Sequence, residues 1–410
     1  MKKLLNIGTS RVAELCPYCE GKDFVKRGTR KNLHQVVQLY LCRNPECGKT
    51  FTAQDIKGRK FPLNIVIESM SCYNLGFTFE ETCRLIKKKF GVSPEPATVS
   101  EWINEYKELC RYERLRPYAT KLFGPREVIE TVTMAHRQLY RFRYHRAKIR
   151  LMLEEFGNRN LSPLKDYLDA VSSETPHQYF AEGERMSEVK SKFDKAGMIV
   201  RGKYNYANRL AGFVLQSVAE NKRRHEELQR FLIANDSVTV ATEVPVYIRR
   251  EDVEHMENVL GFVISEYHES KDGGSSADVM HKKGPGPILL KGKKGPQPFP
   301  KLITGHIDIV QVRNKSVHLL DYKPNASKER PIEQLTWYAM ALSRLTGLRL
   351  FHFVCGWFDE KEYFQFYPLH VVKKLRPKSA NPRRKIVHFK DGTKAEVPKE
   401  NNIVISHSKT

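Results

Sequence analysis

Four cysteines gathered into two short turns constrain this chain more than any other feature of its sequence. Cys16-Pro17-Tyr18-Cys19 and Cys42-Arg43-Asn44-Pro45-Glu46-Cys47-Gly48 flank a segment carrying Val36, Val37, Leu39, Tyr40 and Leu41, residues that suit a strand. Two turns that each present two thiolates, joined by a hairpin, suit tetrahedral coordination of zinc by Cys16, Cys19, Cys42 and Cys47. A closed four-thiolate site leaves no open position for water, so its expected role is structural. The same cysteines could instead form two disulfides, which needs an oxidising compartment. The leading residues Met1-Lys2-Lys3-Leu4-Leu5-Asn6 show neither a long apolar core nor a small-residue cleavage site, so no secretory signal is expected. Cys72, Cys83, Cys110 and Cys355 are scattered and read as buried apolar residues.

Charge sets the class of partner. Seventy Lys and Arg against 47 Asp and Glu leave +23 over 410 residues, which points to a polyanion, most often nucleic acid. A generally basic proteome would give the same excess. With 40% hydrophobic residues the chain can build real cores, so it is not a disordered chain. The length suggests two to four domains. No apolar run reaches the length of a membrane span. A cytoplasmic location is expected, associated with the nucleoid if the source is prokaryotic.

Residues 61–110 read as three helices. The first covers 62–73 and ends at Asn74-Leu75-Gly76. The second covers 79–90, with Thr78 as N-cap, Glu81 completing a capping box and Gly91 closing it. The third starts near Ala97 and carries Val99, Trp102, Ile103, Tyr106 and Leu109 at helical spacing. Together they suit a helix-turn-helix, with Lys87, Lys88 and Lys89 placed for phosphates and Thr98, Ser100 and Glu101 near the start of the recognition helix. An ordinary helical bundle with core aromatics has the same pattern. The ribbon end Cys47-Gly48-Lys49-Thr50-Phe51, the run Gly76-Phe77-Thr78-Phe79-Glu80-Glu81-Thr82-Cys83-Arg84-Leu85-Ile86, Gly91-Val92-Ser93 and Thr98-Val99-Ser100-Glu101-Trp102-Ile103 resemble the DNA-binding region of insertion-sequence transposases. That resemblance covers about the first quarter of the chain and implies a zinc ribbon (10–57) and a helix-turn-helix (60–112) that bind DNA.

Residues 113–200 read as a basic, mostly helical connector. The run from Arg137 to Arg150 is its densest basic stretch, with Leu139, Phe142, Ile149 and Leu153 on one helical face. Arg141, Arg143 and Arg146 are then candidates for phosphate contact; a solvated amphipathic helix is the alternative. A short helix is expected over 164–171.

The chemistry concentrates further on. Ile303-Thr304-Gly305-His306-Ile307-Asp308-Ile309-Val310-Gln311-Val312 and Val317-His318-Leu319-Leu320-Asp321-Tyr322-Lys323 read as two strands around the turn Arg313-Asn314-Lys315-Ser316. With Asn314 and Lys315 as loop residues, Asp308 falls opposite Asp321 and His306 opposite Lys323, and Asp321 and Lys323 share a face. Opposed carboxylates need compensation, which Mg²⁺ or Mn²⁺ would supply. Pro331 opens a helix from Ile332 to Leu342, on which Gln334 and Tyr338 share a face. Upstream, 238–249 is a strand carrying Glu243, preceded by a long helix over 206–233; strands are expected over 348–357 and 363–369.

Gly305-His306-Ile307-Asp308, then Asp321-Tyr322-Lys323-Pro324, then Gln334-Leu335-Thr336-Trp337-Tyr338-Ala339 resemble the PD-(D/E)XK nuclease superfamily in its RecB-like branch. The resemblance covers roughly 200–370 and implies a restriction-endonuclease-like α/β core with a mixed sheet (201–372). It implies that Asp308 and Asp321 bind the catalytic metal, with the Tyr322 carbonyl as a further ligand, and that Lys323 positions or activates the attacking water. Gln334 and Tyr338 would support the site or touch DNA, and Glu243 would match a further acidic position. The branch often has a metal-shell histidine in G-x-x-x-H on the preceding helix. Here Gly212 is followed by Gln216, with Glu220 one turn on as another oxygen donor. Only Cys355 lies in this region, so no iron–sulfur cluster is expected.

The expected whole is a multidomain α/β chain. Residues 271–300, with six Gly, five Pro and six Lys, form either a mobile basic flap or a disordered insertion. Residues 373–410 form a basic tail with a small hairpin over 385–397. The expected activity is metal-dependent hydrolysis of DNA phosphodiesters, endo- or exonucleolytic, in a mobile-element or genome-defence setting, with a homodimer as one route to double-strand cuts. The alternatives are a non-catalytic DNA binder with a degenerate nuclease fold, for which Gln216 speaks, and an RNA-processing nuclease.

Overall fold

The computed structural model describes residue 13 and residues 15–31, 36–52, 61–110, 113–193, 199–202, 205–218, 220–264, 299–373, 386–388 and 394–396. They fall into two compact units, Met1–Lys373 and Lys374–Thr410.

The first unit begins with a small antiparallel sheet of β1 (Phe24–Lys31), β2 (Val36–Cys42) and β3 (Thr50–Thr52), in that order. Ala13, Tyr40, Phe51, Cys16 and Cys42 form its buried cluster, with Phe24 edge-on to both rings, and Val37 is buried as well. So few side chains cannot hold a sheet alone, and the cysteine cluster supplies the remaining constraint.

Helices α1 (Leu63–Asn74), α2 (Phe79–Phe90) and α3 (Pro96–Glu105) follow where the pattern puts them. The Thr78 hydroxyl accepts from the Glu81 amide at 3.2 Å and the Glu81 carboxylate accepts from the Thr78 amide at 2.9 Å. Gly91 ends α2 in the left-handed region, at φ 70°, where a side chain would be strained.

The connector is where the helical expectation fails. After α4 (Leu115–Leu122), the chain forms the hairpin β4 (Ile129–His136) and β5 (Gln138–His145), and only from Arg146 does it become helical, as α5 (Arg146–Glu154). Tyr140, Phe142 and Tyr144 alternate with Arg141 and Arg143, a period of two. Phe142 and Tyr144 are fully buried, whereas Leu139, placed on the apolar face by helical spacing, is 75% exposed. α6 (Ser162–Glu174) covers the expected short helix, and α7 (His177–Glu182), β6 (Glu184–Arg185) and β7 (Val200–Gly202) complete the segment. Segment 113–200 therefore contributes four strands to the main sheet.

The expected helix over 206–233 is broken. α8 (Tyr206–Leu215) ends at Gln216, and α9 (Arg224–Asn235) starts after a 3₁₀ turn at Asn221–Arg223. Then come β8 (Thr239–Arg249), α10 (Arg250–Asn258), β9 (Leu302–Arg313), β10 (Ser316–Tyr322), α11 (Ile332–Thr346), β11 (Phe353–Phe358), β12 (Tyr363–Phe366) and α12 (Pro368–Val372).

The nine-stranded mixed sheet runs β4-β5-β8-β9-β10-β11-β12-β7, with β6 added to β9. Strands β8, β9 and β10 are antiparallel neighbours; β10 and β11, joined through α11, are parallel. The pairs Ser316↔Arg313 through Leu320↔Ile309 are those expected for an Asn314-Lys315 loop, and both loop residues take positive φ, 51° and 62°, as a type I′ turn requires. α11 is almost wholly buried, from Leu335 to Leu342, in the core on one face of the sheet. A second core holds the buried faces of α1, α2, α3, α8 and α9 together with Ile309, Leu320 and Tyr322 of the sheet. α1 is fastened to α9 by the buried Asn74 side-chain amide donating to Asn235 Oδ1 at 2.6 Å, and by Arg230 with Glu68 at 3.1 Å.

In the second unit β13 (Ile386–His388) and β14 (Lys394–Glu396) pair antiparallel, within the expected hairpin. Its turn, the proposed flap over 271–298 and the rest of the tail lie outside the described residues.

Candidate active site and metal centres

Three adjacent strands each deliver one carboxylate to one place. The pairs Thr242↔Ile309 and Val244↔Ile307 set Glu243 of β8 opposite Asp308 of β9. Leu320↔Ile309 is the last pair between β9 and β10, so Asp308 and Asp321 stand one step beyond it, where the two strands separate. Asp308 and Asp321 are nonetheless close enough to share a hydrogen bond. His306 does not face Lys323, as continued pairing would have it. The Lys323 amide bonds the Phe358 carbonyl at 2.9 Å, so the chain there follows β11. Lys323 Nζ instead lies 2.9 Å from Asp321 Oδ2.

Glu243 has a left-handed backbone in the middle of a strand, φ 52°, a conformation that costs a non-glycine residue of order 1–3 kcal/mol and collects at functional sites. Its carboxylate accepts from Gln229 Nε2 at 2.6 Å.

The electrostatics follow from crowding. Burial, then the charges of Asp321 and Glu243, hold the Asp308 carboxyl well above the usual carboxylate range. Burial, with Asp321 and Glu226 adding, brings Glu243 to about 7. Burial would lower Lys323, but Asp321, Asp308 and Glu329 more than offset it and the ammonium is held more firmly. With three carboxylates against one ammonium, Asp308 and Glu243 thus keep the negative charge down by holding protons, which an ion bound in their place would displace. Both Asp321 oxygens are buried; Oδ2 has the Lys323 ammonium at 2.9 Å, and Oδ1 has no donor among the described residues. Buried acceptors without donors are costly, and an oxygen-seeking divalent cation fits this donor set.

The sequence reading missed the histidine of this site. His225, in the first turn of α9, has Nδ1 3.8 Å from Asp308 Oδ2 and its ring against the Tyr322 backbone carbonyl. Burial lowers its pKa against the attraction of Asp321, so the neutral, metal-ligating form is favoured. Gln229, one turn on, reaches Glu243. A histidine opening the helix just before the acidic strand, with Gln four residues later on the same face, was the available signal. Gln216 instead donates to its own helix, to the Gly212 carbonyl at 2.9 Å, and Glu220 is exposed.

On α11, Gln334 Nε2 donates to the Tyr338 hydroxyl at 2.6 Å. A Cβ on Gly305 would lie 2.4 Å from Tyr338 Cε1, so the ring sits where only glycine permits. The Tyr322 hydroxyl takes a hydrogen bond from Arg224 Nη2 at 2.8 Å, while its backbone meets the His225 ring.

Beside the carboxylates, three histidines form a chain missing from the sequence reading. His306 Nε2 lies 2.9 Å from His136 Nδ1, and His136 Nε2 2.8 Å from His177 Nδ1. The Tyr140 ring stacks on His306 at 3.6 Å. Burial lowers His136 to about 4 and His306 to about 3, so both rings stay neutral at neutral pH.

The expected DNA contacts separate into two groups. Lys87 and Lys88 are exposed on α2, and Thr98 and Ser100 are half-buried on α3. Arg141, Arg143 and Arg146 of the basic run are engaged within the fold. Arg143 is buried and paired with Glu226 at 3.2 Å, Arg141 is also paired with Glu226, and both Nε and Nη2 of Arg146 donate to Glu130. The C-terminal half of β5 is buried on both faces, so Arg143, opposite Phe142 and Tyr144, is covered and paired with Glu226 of α9, which removes it from a phosphate-binding surface.

The cysteines form the second centre. Cys16, Cys19, Cys42 and Cys47 carry sulfurs all within 4.8 Å of one another; among the described residues no other group of three or more His, Cys, Asp and Glu is so tightly gathered. The Cys16–Cys47 and Cys19–Cys42 separations of 3.7 and 3.6 Å exclude disulfides and fit the edge of a zinc–thiolate tetrahedron, about 3.8 Å for Zn–S bonds of about 2.3 Å. Each knuckle turns through a left-handed residue after its second cysteine, Glu20 at φ 56° and Gly48 at φ 52°. The tetrad could thus hold a structural metal such as zinc and fits a zinc ribbon. Among the described residues no helix is long and apolar enough to cross a membrane. Comparison of the chain with protein-family models, with curated proteins and with solved structures gives no match.

Proposed function

We propose that this chain is a metal-dependent phosphodiesterase of DNA with a PD-(D/E)XK-like site, directed to its target by a zinc-ribbon and helix-turn-helix module. The observation that carries this reading is the row Glu243–Asp308–Asp321 across three neighbouring strands, with the Lys323 ammonium on Asp321 Oδ2 and the buried Asp321 Oδ1 without a donor among the described residues.

Asp308, Asp321 and the Tyr322 carbonyl would hold Mg²⁺ or Mn²⁺, with His225 in the place Gln216 was expected to fill. When bound, the ion polarises the scissile phosphate and acidifies a water. Lys323, held beside Asp321, orients that water and offsets charge growing on the phosphate oxygens. Glu243, near neutrality in its pKa, can take a proton from water at its carboxylate oxygen. Gln334 and Tyr338 brace the site from α11.

The test is cleavage of closed circular and linear DNA with Mg²⁺ or Mn²⁺ by wild type, Asp321→Ala and Lys323→Ala. Both substitutions should lower the rate by a hundredfold or more; activity that survives both sinks the assignment. Cutting of circles would make the enzyme an endonuclease. One observation favours a second reading, a DNA binder with an inert nuclease-like fold: the carboxylates and His225 are not gathered as tightly as the cysteines. DNA bound but never cut would establish it, and preferential cutting of RNA would move the substrate class.

A further inference from the structure

A slot opens where β9 outruns its neighbour. On the edge facing β10, β9 is paired only from Ile309 onward, and β6 caps the same edge further back, at Ile303 and Thr304. Among the described residues the intervening edge, from Gly305 to Ile307, has no strand partner there. The resulting cavity has a volume of about 190 Å³ and is bounded by Tyr140, Arg185, His306, Gln334 and Tyr338, with Asp308 at one end. At ~30 Å³ per water it holds about six waters. That is room for part of one nucleotide, and too little for a base pair or a free ligand of ordinary size, which needs roughly 300 Å³ or more.

Its charge is informative. Arg185 is half-buried, and among the described residues its guanidinium makes no hydrogen bond or ion pair, although Asp308 lines the same cavity. A partly desolvated guanidinium without a partner is suited to an incoming anion. Arg137 stands at the mouth, fixed by donating from Nε and Nη2 to the Ala181 carbonyl at 3.2 and 3.0 Å. The stacked Tyr140 and His306 rings make a rigid wall beside it. The same cavity thus brings together a cation without an acid partner, a flat aromatic wall and, at Asp308, the carboxylate row, which are groups suited to a phosphate, to a sugar or base face and to a metal-bound phosphodiester.

We propose that this slot binds a phosphodiester of single-stranded DNA next to the bond being cut, with Arg185 as its anion-binding residue. The enzyme then acts on unpaired strands or frayed ends, and intact duplex serves for recognition by the N-terminal module. The proposal rests on the nuclease reading above, and its test does not need hydrolysis.

Full-length protein is titrated, in Ca²⁺ to withhold cutting, into labelled oligothymidylate, a hairpin duplex and oligouridylate, and anisotropy is followed against salt. Arg185→Ala should weaken oligothymidylate binding about tenfold or more, lower its salt slope by about 0.7, and leave the duplex affinity unchanged. Arg185→Lys should keep the slope while losing part of the affinity, which separates lost charge from a damaged fold; melting curves check the fold directly. Unchanged single-strand affinity and slope in Arg185→Ala would overturn the subsite. So would equal losses on duplex and single strand, or tighter binding of oligouridylate than of oligothymidylate. Cleavage surviving Asp321→Ala would instead overturn the nuclease reading, and leaves the anisotropy result standing by itself.

Discussion

Glu243 concentrates three costs in one residue. Its backbone is left-handed, its carboxylate is buried, and it faces two further carboxylates across the sheet. With its pKa raised to about 7, it carries its native-state penalty only when ionised. The sign follows from linkage: the folded protein binds this proton more tightly than the unfolded chain, so stability is present below the unfolded pKa and lost as pH rises through about 7. Glu243→Gln should therefore be more stable than wild type above pH ~8, by about 3 kcal/mol, with the gap closing towards pH ~4.5. Chemical denaturation of both proteins in EDTA across that range reads it, and a gap independent of pH would contradict the cause. In Mg²⁺ or Mn²⁺ in place of EDTA, cleavage by the variant should be lost across the same pH range. The histidines in this region show the other use of burial, since His136 and His306 are kept uncharged beside the carboxylate row.

At the scale of elements, the close seat of α11 on β9 depends on one missing side chain. A Cβ at Gly305 would meet the Tyr338 ring at 2.4 Å, so Gly305→Ala must displace α11 or turn the ring. It should cost about 1–3 kcal/mol by overpacking and reduce cleavage at least tenfold through Tyr338 and Gln334. Urea denaturation and initial rates check it, and rates equal to wild type would show that α11 does not brace the site. This glycine was legible as part of a motif, but its physical reason was not, because Tyr338 lies 33 residues further on in the sequence. The hairpin register was legible for the opposite reason: one two-residue turn fixes every pair up to Leu320↔Ile309. The β4–β5 hairpin was misread because basic residues obscured the alternation of Tyr140, Phe142 and Tyr144, and four apolar residues also fit a helical period. His225 and Arg185 escaped because no local pattern places α9 or β6 against β9. Only the folded sheet brings these segments, separated by scores of residues, into one row.

At the scale of the molecule, two kinds of stability coexist. The large sheet is held by a continuous buried core, whereas the N-terminal sheet has only a few buried residues around its cysteines. Metal should therefore be folding free energy for the latter alone. Cys42→Ser should abolish bound zinc, one equivalent by elemental analysis, and disorder the ribbon, while the main thermal transition shifts by only a few degrees. Loss of that main transition would show the two parts to be one cooperative unit. The helices α1, α2 and α3 behave differently from the ribbon, because their core is shared with α8, α9 and the strands that carry Asp308 and Asp321.

The Asn74–Asn235 amide pair, buried where α1 meets α9, has a consequence for how such a protein would measure distance. On the proposed function, the helices that read a site and the helix that carries His225 form a single rigid ruler. The spacing between the bound sequence and the new strand ends is then set by protein geometry, and one bound molecule yields a constant offset, not a spread of them.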